Sequence, residues 1–460
     1  MLPVTSVPQA TPAEKSLVKP TWSDMLSVYL RRRVLIVLFL GFSAGLPLAL
    51  SGSTLQVWMT ESGVDLRTIG LFALVGTPYT VKFLWAPLVD ALDVPVLSRL
   101  LGRRRGWLVL SQLLLIAAIV FLGSCNPALN PWLVALGALL VATASATQDI
   151  VIDTFRVESL NETEQAAGMA SYVAAYRVGM LASTAGALFL VTGFEHLGFG
   201  KQGAWSAGYA AMAVMVVIGI ITTIVATEPE KSAAANRLHS GLTAFERLFA
   251  TVTGAFQDFF MREGIVAAVT VLAFVVLFKF TDALAGVMTA PFVIDLGFSR
   301  DVYAAIIKGV GLAATLLGGF AGGFLVRAYP LAASLWVGGI VQALANFAFS
   351  WQAVVGADVA WLTAAIVTEN FTGAVGTVIF VAYLSALCRN PLHTATQYAL
   401  LTALAAIGRT YLSSAAGFIV VWTGWATFFA ICAAAAIPSL VLLAWLQHRG
   451  HFAALAVRAE

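Results

Sequence analysis

Charged residues are scarce in this chain of 460 residues: 11% are Asp, Glu, Lys or Arg, whereas 60% are hydrophobic. A soluble protein of this length needs far more charge to cover its surface. Against this background, the net charge of +3 is too small to indicate a nucleic-acid partner. The composition, with a mean hydropathy of +0.89, instead predicts a polytopic membrane protein.

Cysteine, histidine and phosphate-binding motifs are also sparse or missing. Cys125, Cys388 and Cys432 are far apart in the sequence, which excludes a disulfide framework and a zinc site. The five histidines lie in predicted loops or tails, without the spacing of metal ligands or of a nucleophile and its base. A G-x-x-x-x-G-K motif is missing, so we expect no ATP hydrolysis. These absences argue against an enzyme and predict neither a metal nor a cofactor.

Long apolar stretches are what the chain does contain. Each is about 20 residues long, enough to cross a bilayer, and the period-2 alternation of a membrane β-barrel is absent from them. The sequence therefore predicts an all-α integral membrane fold. Its twelve predicted transmembrane spans, numbered in chain order, are 34–58, 67–90, 107–124, 131–154, 165–190, 204–227, 264–294, 302–327, 331–351, 359–386, 395–421 and 425–446.

The distribution of Lys and Arg predicts the orientation of these spans. Eighteen of the 26 basic residues fall on the side of the two tails, 1–33 and 447–460, whereas the opposite loops hold only Arg67, Lys201 and Arg300. Short cytoplasmic loops are the ones enriched in Lys and Arg. Residues 1–33 are polar and lack an apolar core, so we interpret them as a cytoplasmic tail and not a cleaved signal. Both termini are predicted to be cytoplasmic.

A long polar segment after span 6 divides the chain into two halves. This segment, 228–263, separates a first half, 34–227, from a second half, 264–446. Its second part places one apolar face on a helix, which is typical of an interfacial amphipathic helix. That face consists of Phe245, Leu248, Phe249, Val252, Phe256 and Phe259.

The halves also resemble one another. At an offset of 232 residues, 163–179 aligns with 395–411 and places Arg177 opposite Arg409. Both stretches open a helix on the predicted cytoplasmic side after a polar loop. Six spans plus six, joined by a cytoplasmic linker and related by a weak parallel repeat, predict the major-facilitator architecture.

Specific motifs strengthen this prediction. The loop between spans 2 and 3 places the acidic Asp90 before "GRRRG" at 102–106, similar to the acidic-then-basic loop of major-facilitator transporters. Residues 41–90, 146–158 and 394–409, together with "RRRGW", closely resemble the AmpG muropeptide permease family. The resemblance implies a bacterial inner-membrane transporter. Its substrates would be N-acetylglucosaminyl-1,6-anhydro-N-acetylmuramyl peptides, imported with protons for cell-wall recycling. It also allows, without deciding, a signal for β-lactamase induction.

Ionisable residues inside the spans are the candidate functional groups, because charges at membrane depth are costly unless paired or hydrated. The proton-coupling candidates are the carboxylates Asp149, Asp282 and Glu369. The substrate-binding candidates are polar or lie in a glycine-rich part of span 1: Gln148, Asp149, Lys82, Arg177, Lys279, Arg409 and Gly45. Fixed ion pairs inside the bundle are the alternative for the charged residues, and close helix packing explains Gly45 equally well.

A second set of charges lies at the predicted cytoplasmic boundary. Asp153 and Arg156 follow Asp149 on one helical stripe but lie one to two turns nearer the cytoplasm. The resemblance of the loop implies a cytoplasmic gate of Asp90, Arg103, Arg104 and Arg105, and Asp153 and Arg156 are predicted to join it because they lie at the same depth. Solvated pairing of these residues is the alternative.

Three other functions stay open beside muropeptide import. A related carrier could move another bulky polar anion such as acetyl-CoA, although such a carrier would need more cavity-facing arginine. A membrane sensor or assembly factor could use the same scaffold without transport, but it would gain little from midplane charges. A membrane-embedded enzyme is disfavoured by the lack of a catalytic grouping. We expect a monomer that moves substrate by alternating access between its halves.

Overall fold

The structure, a computed structural model, describes residues 27–229, 253, 260–261, 264–388 and 394–457. Helix dominates these residues, and none of them belongs to a strand. The two predicted tails are therefore described only in part. The amphipathic face predicted at 245–259 lies outside the described residues, apart from Thr253, which is not one of its members.

The described part of the chain contains eleven helices long and apolar enough to cross a membrane, and each overlaps one predicted span. Span 2 differs, because it is a series of short helical segments. Pro78 and Pro87 lie in the first turns of two of these segments, since proline has no N–H with which to continue a preceding helix. The first segment packs against span 11 and the last against span 4, so the chain still crosses between spans 1 and 3.

The first half follows the predicted order, with breaks in spans 1, 2 and 5. A short 3-10 helix, Val28–Leu30, precedes span 1, and helix Leu97–Leu101 precedes span 3. The bounds are Arg32–Leu50 and Ser53–Glu61 (span 1), Leu66–Leu71, Phe72–Gly76, Thr77–Val81, Lys82–Leu84 and Ala86–Ala91 (span 2), Arg103–Ser124 (span 3), Pro131–Ser159 (span 4), Glu162–Leu181, the π-helical turn Ala182–Gly186 and Ala187–His196 (span 5), and Lys201–Val225 (span 6).

The second half has its own breaks in spans 7, 8, 11 and 12. Helix His451–Val457 follows span 12. The bounds are Ile265–Phe278 and Phe280–Asp295 (span 7), Arg300–Tyr303, the π-helical turn Ala304–Val310 and Gly311–Ala328 (span 8), Leu331–Val355 (span 9), Val359–Leu387 (span 10), Thr394–Tyr411, Leu412–Ala415 and Ala416–Thr423 (span 11), and Trp425–Ala434 and Ile437–His448 (span 12).

Glycines bring spans 1 and 5 into direct backbone contact. A Cβ atom at Gly45 would lie 2.1 Å from the carbonyl oxygen of Tyr176, and one at Gly41 would lie 2.6 Å from that of Tyr172. A Cβ at Gly179 would in turn lie 2.3 Å from the carbonyl oxygen of Phe42. Small residues allow this approach, which a larger side chain would prevent.

The two halves meet mainly near one face of the bundle. We call the face at which span 1 begins and span 12 ends the basic face, and the other the opposite face. A buried apolar cluster towards the opposite face includes Leu55 and Trp58 of the first half with Leu284 and Met288 of the second. The contacting segments there are Ser53–Glu61 with Phe280–Asp295, Leu66–Leu71 with Ala416–Thr423, and the π-helical turn Ala182–Gly186 with Ala304–Val310.

Candidate functional site

Lys82 and Asp149 form a pair between spans 2 and 4. The Lys82 Nζ lies 3.8 Å from the Asp149 Oδ2, and the Asp149 side chain is only 14% exposed. Lys82 begins one of the short 3-10 segments of span 2, so the break in that span positions this lysine. Because the distance is longer than a hydrogen bond, the pair is held by charge alone.

Unused hydrogen-bonding capacity surrounds this pair. Among the described residues, the buried Asp149 Oδ1, the Tyr79 hydroxyl and the Ser145 hydroxyl have no hydrogen-bond partner. Both amide atoms of Gln148 are in the same situation, and its side chain is fully buried. Buried polar atoms are normally satisfied, so such a group of exceptions requires an explanation. A polar ligand or a transferred proton would use this capacity.

A second lysine–carboxylate pair lies in span 7. The Lys279 Nζ donates to the Asp282 carboxylate and also, at 3.0 Å, to the Thr377 hydroxyl of span 10. Lys279 separates the two helices of span 7. Unwound positions within a span are where transporters place ion and substrate contacts. The pair joins residues that are three apart in the sequence, and its lysine also links two spans.

Glu369 belongs to a polar group that joins spans 8 and 10. The Asn370 Nδ2 donates to the Glu369 Oε2 at 3.1 Å. The Thr315 hydroxyl of span 8 in turn donates to the Asn370 Oδ1 at 3.1 Å. Neither Thr315 nor Asn370 was singled out by the sequence, because an uncharged polar residue in a span gives no strong signal by itself.

The repeat-related Arg177 and Arg409 lie on different halves, and both are near Tyr176. Both guanidinium groups are within electrostatic range of the Tyr176 hydroxyl, as is the carboxylate of Asp149. Both arginine side chains are exposed within their spans, and neither forms an ion pair with a described residue. Of the three carboxylates with which these arginines could alternatively pair, Asp149, Asp282 and Glu369, the first two have lysines as their ionic partners.

Arg177 also lines a small cavity between the halves. The cavity has a volume of about 120 Å³, and its polar lining includes Thr184 of span 5 with Thr315 and Asn370 of the second half. The π-helical turn of span 5 contributes Thr184, and such turns are frequent at functional sites. Sequence periodicity does not predict a π-helical turn.

Gly45 is placed by packing. It is fully buried against the backbone of span 5, as described above, and its lack of a side chain is explained by that contact. Among the substrate-binding candidates, Gly45 is the one that helix packing explains, so no contact with a ligand is needed to explain a glycine there.

The basic residues after span 2 pair with acidic residues that the sequence did not single out. Arg104 binds both carboxylate oxygens of Glu158, at 2.8 and 3.0 Å. Glu228 accepts from the backbone N–H groups of Arg104 and Arg105, at 2.8 and 3.1 Å, and so caps the start of span 3. Arg105 also donates to two carbonyl oxygens at the end of span 6. Apart from Glu228, the first residue of the segment between the halves, all of these residues lie in the first half.

Of the other predicted gate residues, Asp153 and Arg156 pair with each other at 3.7 Å, in the i,i+3 arrangement expected on a helix. Arg103 lies at the start of span 3, and Asp90 lies in the last segment of span 2. The contacts described for Arg104 go to Glu158, which follows Arg156 by two residues in the same motif. Sequence reasoning could have included Glu158 on that ground.

A further ion pair at the basic face ties span 1 to span 5. The Arg31 guanidinium donates to the Glu164 carboxylate at 3.0 Å, and Glu164 also completes the capping box of span 5 with Asn161. The hydrogen bond from Arg31 lowers the pKa of Glu164 below its usual value. Stability from this pair is present above the ordinary carboxyl pKa and is lost as pH falls through the lowered one.

Comparison with known sequences identifies related transporters. Residues 37–410 match the Major Facilitator Superfamily. The chain is 39% identical to the anhydromuropeptide permease of Escherichia coli K12, over 92% of this chain and 81% of that protein. It is 34% identical to the putative transporter AmpG 4 of Rickettsia conorii, over 90% of this chain and 96% of that protein. These matches confirm the predicted resemblance and the prediction of a transporter instead of an enzyme.

Solved structures confirm the predicted fold. The nucleoside transporter NupG superposes with a TM-score of 0.65 at 13% identity, over 90% of this chain and 98% of that one. A D-xylose–proton symporter superposes with a TM-score of 0.62 at 13% identity, over 90% and 97%. At such low identity the likeness concerns the fold alone. Together, these matches and the apolar helices identify the chain as a multi-pass membrane transporter of the major facilitator superfamily that belongs to the AmpG family of anhydromuropeptide permeases.

Proposed function

We propose that this transporter imports 1,6-anhydro-muropeptides, GlcNAc-anhydroMurNAc with or without its peptide, across the bacterial inner membrane for peptidoglycan recycling. The observation that carries the proposal is the 39% identity with the E. coli anhydromuropeptide permease over most of both chains. The basic face would be cytoplasmic, with both tails there, because short cytoplasmic loops are enriched in Lys and Arg. The transporter would act as a monomer.

Arg177 and Arg409 would bind the carboxylates of the peptide stem. An arginine fork recognises a carboxylate through two parallel hydrogen bonds and stays charged throughout the cycle. The two arginines come from the two halves and both reach the region of Tyr176. A substrate that binds both would therefore draw the halves 34–227 and 264–446 together. Lys82, Lys279 and the amide of Gln148 would supply further polar contacts.

Protons would couple to transport through Asp149, Asp282 or Glu369. Each of the two aspartates has one lysine partner. The Asp149 Oδ2 lies 3.8 Å from the Lys82 Nζ, and Asp282 is in direct contact with Lys279. Protonation of either carboxylate would leave its lysine without an ionic partner and so change the relative energies of the two conformations. Glu369 accepts a hydrogen bond from the amide of Asn370.

At the basic face, Asp90, Asp153, Arg156 and Arg103–Arg105 would form the cytoplasmic gate. Glu158 joins this set through its contacts with Arg104. Their pairs within the first half keep the loop after span 2 close to the end of span 4. We propose that these charges exchange partners when the cytoplasmic side closes.

Vesicle transport tests the function directly. Radiolabelled disaccharide, with and without its peptide, is offered to right-side-out and inverted vesicles that hold the transporter, under an imposed pH gradient. Uphill accumulation in right-side-out vesicles that collapses with the gradient supports proton-driven import. Inhibition of this uptake by acetyl-CoA but not by unlabelled muropeptide would favour the alternative function, a carrier of bulky polar anions. Absence of any gradient-dependent uptake by folded protein would favour a sensor or assembly factor and overturn the proposal.

A further inference from the structure

One arginine connects the two halves at the opposite face. Arg300, the first residue of span 8, donates from Nε to the Glu61 Oε1 at 2.8 Å. The same guanidinium donates from Nη2 to the Glu195 Oε1 at 3.1 Å. Glu61 ends span 1 and Glu195 lies in the last turn of span 5, so both carboxylates belong to the first half. We call these three residues the opposite-face triad.

Residues of the first half form the binding site for the Arg300 guanidinium. The indole N–H of Trp205, in span 6, donates to the Glu61 Oε2 at 3.2 Å. The Arg300 guanidinium lies over the ring of the same tryptophan, 5.5 Å from its centroid. Trp205 is fully buried and stacks on Trp58 of span 1, with 5.4 Å between centroids. The carboxylates and the ring are thus fixed within one half, and the arginine is the only member of the group from the other half.

Burial makes this contact sensitive to separation of the halves. The side chains of Arg300 and Glu61 are 11% and 12% exposed. Truncating one member of a desolvated pair is costly, because the other charge stays buried without a partner. When the halves separate, in contrast, all three side chains stay in place and water can reach their charges. The contact is therefore stable when closed and reversible when opened.

The triad is not fully satisfied, which argues against a purely static tie. The Arg300 Nη1 is buried and has no hydrogen-bond partner among the described residues. Two carboxylates also share one guanidinium, so removing Arg300 would deprive both of this partner. A second contact between the halves lies next to the triad: the Thr192 hydroxyl donates to the Asp301 carboxylate at 2.8 Å.

We propose that Arg300 is a positioning residue of the transport cycle, which holds the opposite face closed through Glu61 and Glu195 and releases both when that face opens. The proposal rests on the alternating access of the proposed function but not on the identity of the substrate. Substrate does not contact these residues; they set the relative populations of the closed and open conformations.

Spin-label distances across the opposite face test this role without any substrate. The labels are placed at Leu129→Cys and Ala357→Cys, exposed positions in the loops after spans 3 and 9, in a protein whose Cys125, Cys388 and Cys432 are replaced by alanine. Arg300→Gln is expected to raise the ratio of long to short distances about tenfold or more, because it removes one member of a buried charge pair. Glu61→Gln and Glu195→Gln are expected to act in the same direction but less strongly.

A charge exchange separates positioning from general destabilisation. The double variant Glu61→Arg with Arg300→Glu keeps one cation and two carboxylates in the group, so it is expected to restore much of the short-distance population. Arg67→Gln is the matched control, because Arg67 is an exposed cation of the same face that also contacts the other half, over the Phe418 ring at 6.0 Å, but through no described ion pair. The proposal fails if Arg300→Gln leaves the distances unchanged, or if the exchange is no better than the single variant. Failure of muropeptide uptake would leave this result unaffected.

Discussion

At the scale of single residues, the main feature is that each of two intramembrane lysines faces one carboxylate. Lys82 with Asp149 and Lys279 with Asp282 leave Arg177 and Arg409 without an ionic partner among the described residues. A permanently charged guanidinium is costly at membrane depth unless water or a ligand reaches it. This arrangement divides these charges by chemistry: the two lysines and two aspartates, which can exchange protons, are paired, whereas the two arginines, which cannot, have no ionic partner among the described residues.

Amide substitutions separate proton coupling from substrate binding. We expect Asp149→Asn, Asp282→Asn or Glu369→Gln at the true coupling site to retain part of the substrate exchange but to lose uphill uptake. The amide keeps the shape of the side chain but cannot release a proton. Exchange and accumulation of labelled muropeptide are measured in the same vesicles. Asp93→Asn, in the exposed loop before span 3, serves as the control. Normal accumulation by all three variants would rule out coupling through these carboxylates.

At the scale of elements, the breaks within spans position the polar groups. The segmented span 2 presents Lys82, and the interruption of span 7 is Lys279 itself. The π-helical turn of span 5 brings Thr184 to the cavity lined by Arg177. The glycine contacts between spans 1 and 5 lie in the helix of span 5 that immediately precedes this turn.

The glycine contact at Gly45 predicts a change in stability. Gly45→Ala places a Cβ that overlaps the Tyr176 carbonyl oxygen, so spans 1 and 5 must separate. We expect a loss of about 1–3 kcal/mol in the free energy of unfolding, as for other overpacked sites. Thermal unfolding of the purified protein measures this. Gly193→Ala, where a Cβ would meet nothing within 4 Å, is the control and should be tolerated. Equal melting temperatures for the two variants would contradict the packing role.

At the scale of the whole molecule, the halves are joined at the opposite face, while the charge pairs at the basic face described above lie within the first half. The apolar cluster and the opposite-face triad connect spans 1 and 5 with spans 7 and 8. This distribution places the substrate and proton candidates between a closed opposite face and the basic face. We propose that it corresponds to a conformation from which substrate leaves towards the basic face.

The orientation of the molecule can be tested with two cysteine positions. Ala357→Cys lies in the opposite-face loop after span 9, and Arg99→Cys lies in the helix before span 3 at the basic face. A membrane-impermeant maleimide should label the first in intact spheroplasts and the second only after permeabilisation, because the face rich in Lys and Arg is expected in the cytoplasm. The native cysteines are replaced in both proteins. The reverse labelling pattern would show that the orientation is inverted.

The sequence by itself determined the helical membrane fold and the placement of eleven of its twelve predicted spans, and its motifs predicted the family. These properties depend on the length of apolar runs and on local motifs, which can be read without knowing which helices touch. The pairing of Lys279 with Asp282 was also predictable, because the two residues lie three apart on one chain segment.

Only the tertiary structure decided which partners the remaining charges take. Lys82 meets Asp149 across two spans, and Arg104 meets Glu158 instead of a predicted gate residue. Arg300 looked like an ordinary loop cation until folding placed it between Glu61 and Glu195. Such pairs depend on the distances and rotations between helices, which are set by packing throughout the bundle and leave no local pattern in the sequence.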